Sequence, residues 1–133
     1  GLPRGVVAVN DKVAAALAPG LHASTFGGNP VCCAGALSIL SRIDDALLED
    51  VRLKSDYVVG ALSGAPGIRS ITGLGLMLGI ETEKPAGEVI AACMERGVLI
   101  LKAKNKVRLL PALNIPMPLL EKAVSVILEA CAG

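Results

Sequence analysis

The 133-residue sequence has almost no aromatic side chains: one Phe, one Tyr and no Trp, 2% of the chain. A platform for single-stranded nucleic acid needs rings on which bases can stack, and none can be assembled here. Lys and Arg number 13 against 12 Asp and Glu, a net charge of +1 with no run of either sign. The field that draws a protein to nucleic acid is therefore missing as well. Lys102, Lys104 and Lys106 alternate around one turn without aromatics between them and do not change this reading. His22 is the only histidine, so no His-Cys zinc cluster or other repeated-His metal site can form. No stretch approaches the roughly 18 consecutive apolar residues of a membrane span, and the first residues lack the long apolar region of a signal peptide. The expected partners are small molecules, in the cytoplasm, with neither nucleic acid nor membrane involved.

Four cysteines are present, Cys32, Cys33, Cys93 and Cys131, with no C-x-x-C spacing. On helical stretches they behave as small apolar residues, which predicts reduced core thiols rather than disulfides or metal ligands. What the sequence does have is aliphatic content: 53% hydrophobic residues and a mean hydropathy of +0.62. The core must be built from Ala, Val, Leu and Ile. The apolar excess predicts surface that a partner or further chain covers. The length allows one domain, with part of a second.

Read in order, Gly5–Val9 is an apolar run long enough for a buried strand. Asn10 or Asp11 can cap a brief helix over 12–17, which Pro19-Gly20 ends. After the loop at 22–28, Asn29 and Pro30 start a helix to about Ile43. Asp44-Asp45 mark a break. A second helix follows over about 46–62, its charges forming a solvated face. Ser63-Gly64-Ala65-Pro66-Gly67 is a boundary. Strands are then expected over 68–71 and 74–81. An amphipathic helix over 86–96 is closed by Gly97 as a left-handed cap. Two more strands, 98–101 and 106–110, flank a turn at 102–105, and Pro118 opens a last helix to about Cys131. From about Asp44 onward this predicts an α+β domain, a mostly antiparallel sheet with helices on one side.

The most distinctive stretch is His22-Ala23-Ser24-Thr25-Phe26-Gly27-Gly28-Asn29-Pro30. Asn29 suits the N-cap and Pro30 the first helical position. A flexible polar loop entering a helix N-terminus favours an anion, because free N–H groups and the helix dipole both attract negative charge. Ser24 and Thr25 add hydroxyl donors. Local residues alone leave two readings open, a phosphate or carboxylate site and an ordinary capped junction. Arg108 lies between apolar residues in a strand-like run, where an unpaired guanidinium is costly unless the strand is half exposed. Gly73-Leu74-Gly75-Leu76-Met77-Leu78-Gly79 does not match a G-x-G-x-x-G nucleotide loop opening a helix. It reads as a glycine-spaced strand continuing to Glu81.

The run Ser24–Pro30, together with Gly1-Leu2-Pro3, Gly73–Glu81 and Val107-Arg108-Leu109-Leu110-Pro111-Ala112-Leu113, resembles the class III, pyridoxal-phosphate-dependent aminotransferases over essentially the whole chain. Ala23 stands where that family usually has glycine, and Thr72 where it usually has arginine. The resemblance implies a fold-type I transferase. Residues 1–43 would be the end of the large cofactor-binding domain and 44–133 the small C-terminal domain. It also implies pyridoxal 5'-phosphate as cofactor and a homodimer, with Thr25, and secondarily Ser24, bonding the phosphate of the other subunit's cofactor. Arg108 would pair with a glutamate or bind a substrate carboxylate. The implied reaction moves an amino group between N2-acetyl-L-ornithine and 2-oxoglutarate in arginine biosynthesis. Ornithine, succinyldiaminopimelate and 4-aminobutyrate are alternative donors, and a free-standing non-catalytic interaction domain is the alternative outside enzymes. The family's Schiff-base lysine would lie just before Gly1. The chain by itself is therefore expected to be inactive and to hold no cofactor, with no catalytic residue and no metal of its own.

Overall fold

A computed structural model describes residues 5–133. The Gly1-Leu2-Pro3 part of the resemblance lies outside them. The chain divides into two compact units, Gly1–Asp44 and Asp45–Gly133.

The first unit holds two helices. In α1 (Asp11–Ala14) Asn10 is the cap, its side chain accepting from the Val13 N–H at 3.1 Å. In α2 (Pro30–Leu40) Asn29 is the cap and Pro30 the first residue, and Asn29 Oδ1 accepts from the Cys32 N–H at 3.1 Å. No residue of either helix is buried. The expected strand over 5–9 is not formed: the segment is irregular, and Val6 and Val7 are 82% and 84% exposed. An apolar run becomes a strand only when a neighbour completes its hydrogen-bond ladder. No strand exists among the described residues of this unit.

The second unit is an α+β sandwich of two layers. Its elements are α3 (Asp45–Leu62), β1 (Ile68–Leu74), β2 (Met77–Thr82), α4 (Ala86–Glu95), β3 (Leu101–Ala103), β4 (Lys106–Leu109) and α5 (Met117–Ala132). The four strands form one sheet in the order β1-β2-β4-β3, every pairing antiparallel. Period-2 alternation divides its faces. Leu78, Ile80, Val107 and Leu109 are buried against Val58, Leu62, Val89, Leu120, Val124 and Ile127 of the helices. Gly97, with φ 78°, closes α4. The last strand pair is shifted from what the sequence suggests: Val98-Leu99-Ile100 form no ladder, β3 runs on to Ala103, and the turn narrows to Lys104-Asn105.

The glycine-spaced run at 73–79 is not one strand but a hairpin. Leu74 pairs with Met77, so Gly75 and Leu76 make the turn. Gly75 supplies the positive φ of 56° that a tight hairpin requires. Its carbonyl accepts from Ser55 Oγ of α3 at 2.9 Å, and Leu76, 2% exposed, turns into the core. An apolar turn residue drawn inward removes the polar signal by which turns are normally read.

Cys93 and Cys131 are buried thiols of α4 and α5. Burial pushes both above the usual thiol range, with the Arg96 charge opposing this at Cys93 and that of Lys84 at Cys131.

Two outcomes follow from this core. Ile80→Ala, at a fully buried position, should cost about 2–5 kcal/mol in urea unfolding. Leu74→Ala, 87% exposed, should stay within about 0.5 kcal/mol of the parent chain. Equal effects would show that the face assignment is wrong. The thiols give a pH dependence. Because folding holds them neutral, the unfolded chain loses these protons at a lower pH. Stability should therefore fall as pH rises from about 8.5, the ordinary thiol value, up to the raised folded values. Urea midpoints between pH 7.5 and 10 check this, and the decline should flatten in Cys93→Ala/Cys131→Ala.

Candidate functional site

Ser24 and Thr25 lie in the first unit, on the exposed loop that enters α2. The loop is folded on itself by two backbone bonds, Gly27 N–H to Ser24 C=O at 3.2 Å and Asn29 N–H to Phe26 C=O at 3.3 Å. Glycine at position 27 leaves room for the Ser24 side chain. A Cβ there would sit 2.7 Å from Ser24 Oγ and would turn the hydroxyl away from its place against the turn. Ser24 and Thr25 thus stand near a helix start whose first orphan donors are partly met by Asn29. The remaining free capacity of Ser24, Thr25 and the helix start is hydroxyl and N–H, a donor set suited to an anion. His22 is exposed on the same loop.

Arg108 lies in the second unit, in the middle of β4, on the sheet face turned away from the helices. Register sets Gly79 opposite it on β2 and Leu101 opposite it on β3, while Thr72 of β1 pairs with Gly79. The next row on this face is Ser70, Glu81 and Lys106: Ser70 pairs with Glu81, and the β2–β4 register sets Glu81 across from Lys106. Ser70 Oγ donates to Glu81 Oε2 at 2.8 Å. Lys106 Nζ donates to Thr72 Oγ1 at 3.2 Å and lies 3.9 Å from Glu81 Oε2. The Arg108 Nε is buried without a hydrogen-bond partner. The ion pairs among the described residues use Arg52, Lys54, Arg96 and Lys106 and leave Arg108 out. A half-buried guanidinium with an unmet donor is chemically matched to a planar carboxylate, which takes two parallel N–H bonds.

The structure therefore adds Ser70, Thr72, Glu81 and Lys106 around Arg108, residues that reading the sequence did not single out for a site. Their signal was the polar alternation in Ser70-Ile71-Thr72, Gly79-Ile80-Glu81 and Lys106-Val107-Arg108. That pattern shows which residues share a face in each strand. The register that joins the strands came only with the fold. Among the described residues no group of three His, Cys, Asp or Glu side chains could hold a metal ion. No helix among them is long and apolar enough to cross a membrane.

Comparison with known proteins gives a consistent picture. The sequence profile of aminotransferase class III matches residues 1–131. The acetylornithine aminotransferase of Haemophilus ducreyi is 43% identical over 131 residues, covering 97% of this chain and 33% of that protein. That of Methanothermobacter thermautotrophicus is 40% identical over 133 residues, covering 96% of this chain and 34% of that protein. The chain spans about a third of the length of the curated relatives it matches. Among solved structures, the acetylornithine aminotransferase from Elizabethkingia anophelis superposes with a TM-score of 0.75 at 28% identity, over 92% of this chain and 35% of that one. The ornithine aminotransferase from Toxoplasma gondii gives 0.75 at 28%, over 89% and 30%.

Proposed function

Because the chain belongs to aminotransferase class III, we propose that this protein moves an amino group between N2-acetyl-L-ornithine and 2-oxoglutarate, with pyridoxal 5'-phosphate as cofactor, in cytoplasmic arginine biosynthesis. The observation that carries the substrate side is the Arg108 guanidinium, half-buried on a polar sheet face with its Nε unpartnered. The choice of acetylated ornithine rests on the relatives of that name, 43% and 40% identical to the chain.

The donor set of the 22–28 loop fits the cofactor's phosphate. Two exposed hydroxyls stand beside the N-terminus of α2, and an anion there is held without a competing carboxylate on the loop itself. In this reading Thr25, with Ser24 beside it, bonds the phosphate of the partner subunit's cofactor in a homodimer. The cofactor, when bound, supplies the electron sink for the charge left on the substrate carbon. Thr25 and Ser24 hold it in place through charge-assisted hydrogen bonds. Arg108 grips the carboxylate of the amino donor or acceptor in two-pronged fashion, which fixes the substrate's orientation and raises the local concentration of its reacting end. Neither hydroxyl nor the guanidinium moves a proton in this scheme. Their work is binding.

A second donor, ornithine, is favoured by one observation: the Toxoplasma gondii ornithine aminotransferase superposes as well as the acetylornithine enzyme. The ratio of kcat/KM for acetylornithine and for ornithine separates the two readings.

In the whole enzyme, Thr25→Ala should weaken pyridoxal phosphate binding by ~1.5–3 kcal/mol for each charge-assisted bond lost. Equilibrium dialysis of the cofactor measures this, and unchanged affinity would remove Thr25 from the phosphate. Arg108→Lys should raise KM for the amino donor about tenfold or more, as a two-pronged contact becomes a point charge. Unaltered kinetics would return Arg108 to a structural role.

A further inference from the structure

We infer that Lys106 is a positioning residue: by engaging Glu81 it keeps the Arg108 guanidinium from closing onto that carboxylate and so leaves it available to a substrate. The inference rests on the carboxylate-binding role proposed for Arg108.

Glu81 is the one acidic residue in the four strands, whose sequences are IRSITGL, MLGIET, LKA and KVRL. Gly79 pairs with Arg108 and Ile80 with Val107. Glu81 is thus directly across from Lys106 and diagonal to Arg108, on the same face. Diagonal neighbours in an antiparallel pair lie about 7–8 Å apart, within the reach of an arginine side chain. A guanidinium and a carboxylate at that separation can form the strong two-pronged pair that Arg108 is meant to offer a ligand. An intramolecular carboxylate competes at high effective concentration, so an unoccupied Glu81 would be a standing inhibitor of the site.

Two groups converge on one oxygen of Glu81, Oε2. Ser70 Oγ donates to it at 2.8 Å, and the Lys106 ammonium lies 3.9 Å away. The lysine is anchored in turn, for its Nζ donates to Thr72 Oγ1 at 3.2 Å, and Thr72 Oγ1 lies 3.4 Å from the Gly79 carbonyl that it meets as donor. Lys106 therefore crosses from β4 over β2 to β1. The path runs close over Gly79, where a Cβ would stand at contact distance, 3.4 Å, from both Lys106 Cδ and Thr72 Oγ1. The stem of Lys106 runs over Gly79, the residue opposite Arg108 in register. Lys106 and Glu81 side chains are only 27% and 35% exposed, so water screens this arrangement incompletely.

The test uses the whole enzyme and two readouts: KM and kcat for the amino donor, and the dissociation constant of glutarate as a simple dicarboxylate probe. Lys106→Met should raise KM and weaken glutarate about tenfold with kcat nearly unchanged, since uniform binding is lost. Lys106→Arg, which keeps a cation over Glu81, should stay near the parent values. The double variant Lys106→Met/Glu81→Gln should recover most of the affinity, because the competing carboxylate is gone. Circular dichroism confirms that each variant is folded. Affinity that survives Lys106→Met, or a loss that Glu81→Gln does not recover, overturns the inference. Arg108→Lys, measured alongside, keeps the two ideas apart. If it weakens glutarate while Lys106→Met does not, the positioning role fails and the carboxylate role of Arg108 stands. If Arg108→Lys itself has no effect, the underlying reading fails.

Discussion

The second unit depends on one constraint, the period-2 alternation of β2 and β4 pinned by their register. Leu78, Ile80, Val107 and Leu109 must enter the core together, and Ile80 and Val107 are fully buried against the helices. Each buried side chain contributes about 1.5–3 kcal/mol of transfer free energy relative to exposure. A slip of one residue would reverse all of them at once. That energy fixes the register, and the register fixes everything on the opposite face. Gly79 faces Arg108, Glu81 lies across from Lys106, and Thr72 and Ser70 complete the two rows. The polar face is thus positioned by the apolar one. A hydrophobic core holds charged side chains in fixed relation without touching them.

The first unit shows what happens when that constraint is lacking. Its helix start was legible residue by residue. Asn29 caps, Pro30 takes the first position, and the glycine at 27 admits the Ser24 hydroxyl. Those are local interactions needing no long-range partner. Burial was not legible, since Val6, Val7, Leu21, Phe26 and Leu37 remain largely exposed despite an apolar sequence. A few dozen residues with two short helices cannot enclose a core of their own. Exposed apolar surface on this scale calls for a covering surface, and the homodimer proposed for the phosphate loop would supply one.

Legibility therefore followed the range of the interaction. Helices α3, α4 and α5 were readable from amphipathic spacing and from punctuation such as Gly97. The α+β class followed from the order of elements. The 73–79 hairpin was missed because its turn is Gly75-Leu76, and Leu76 is buried where a turn residue is usually polar. Of the candidate site, Arg108 was marked by its charge among apolar neighbours. Lys106 had been discounted as one of several alternating lysines. Nothing within strand β4 says that its ammonium meets Thr72 from a strand 34 residues away in sequence. Cross-strand pairing is a tertiary fact, and sequence spacing does not carry it.

The distribution of charge on the polar face bears on why a guanidinium there can be left unpaired at all. An isolated cation on a half-buried surface is costly, and proteins usually meet that cost with a neighbouring carboxylate. Glu81 is the available one, yet its Oε2 already takes the Ser70 hydroxyl and faces the Lys106 ammonium. With Lys106 neutralising Glu81, the face as a whole keeps the single positive charge of Arg108. Such a surface attracts a carboxylate more strongly than a neutral Arg–Glu pair would, and it releases the ligand more readily than two unopposed cations would. In the substrate role proposed for Arg108, that intermediate strength would suit a site that binds one carboxylate and releases another. The three charged residues of this face, Glu81, Lys106 and Arg108, have their spacing set by the core beneath them.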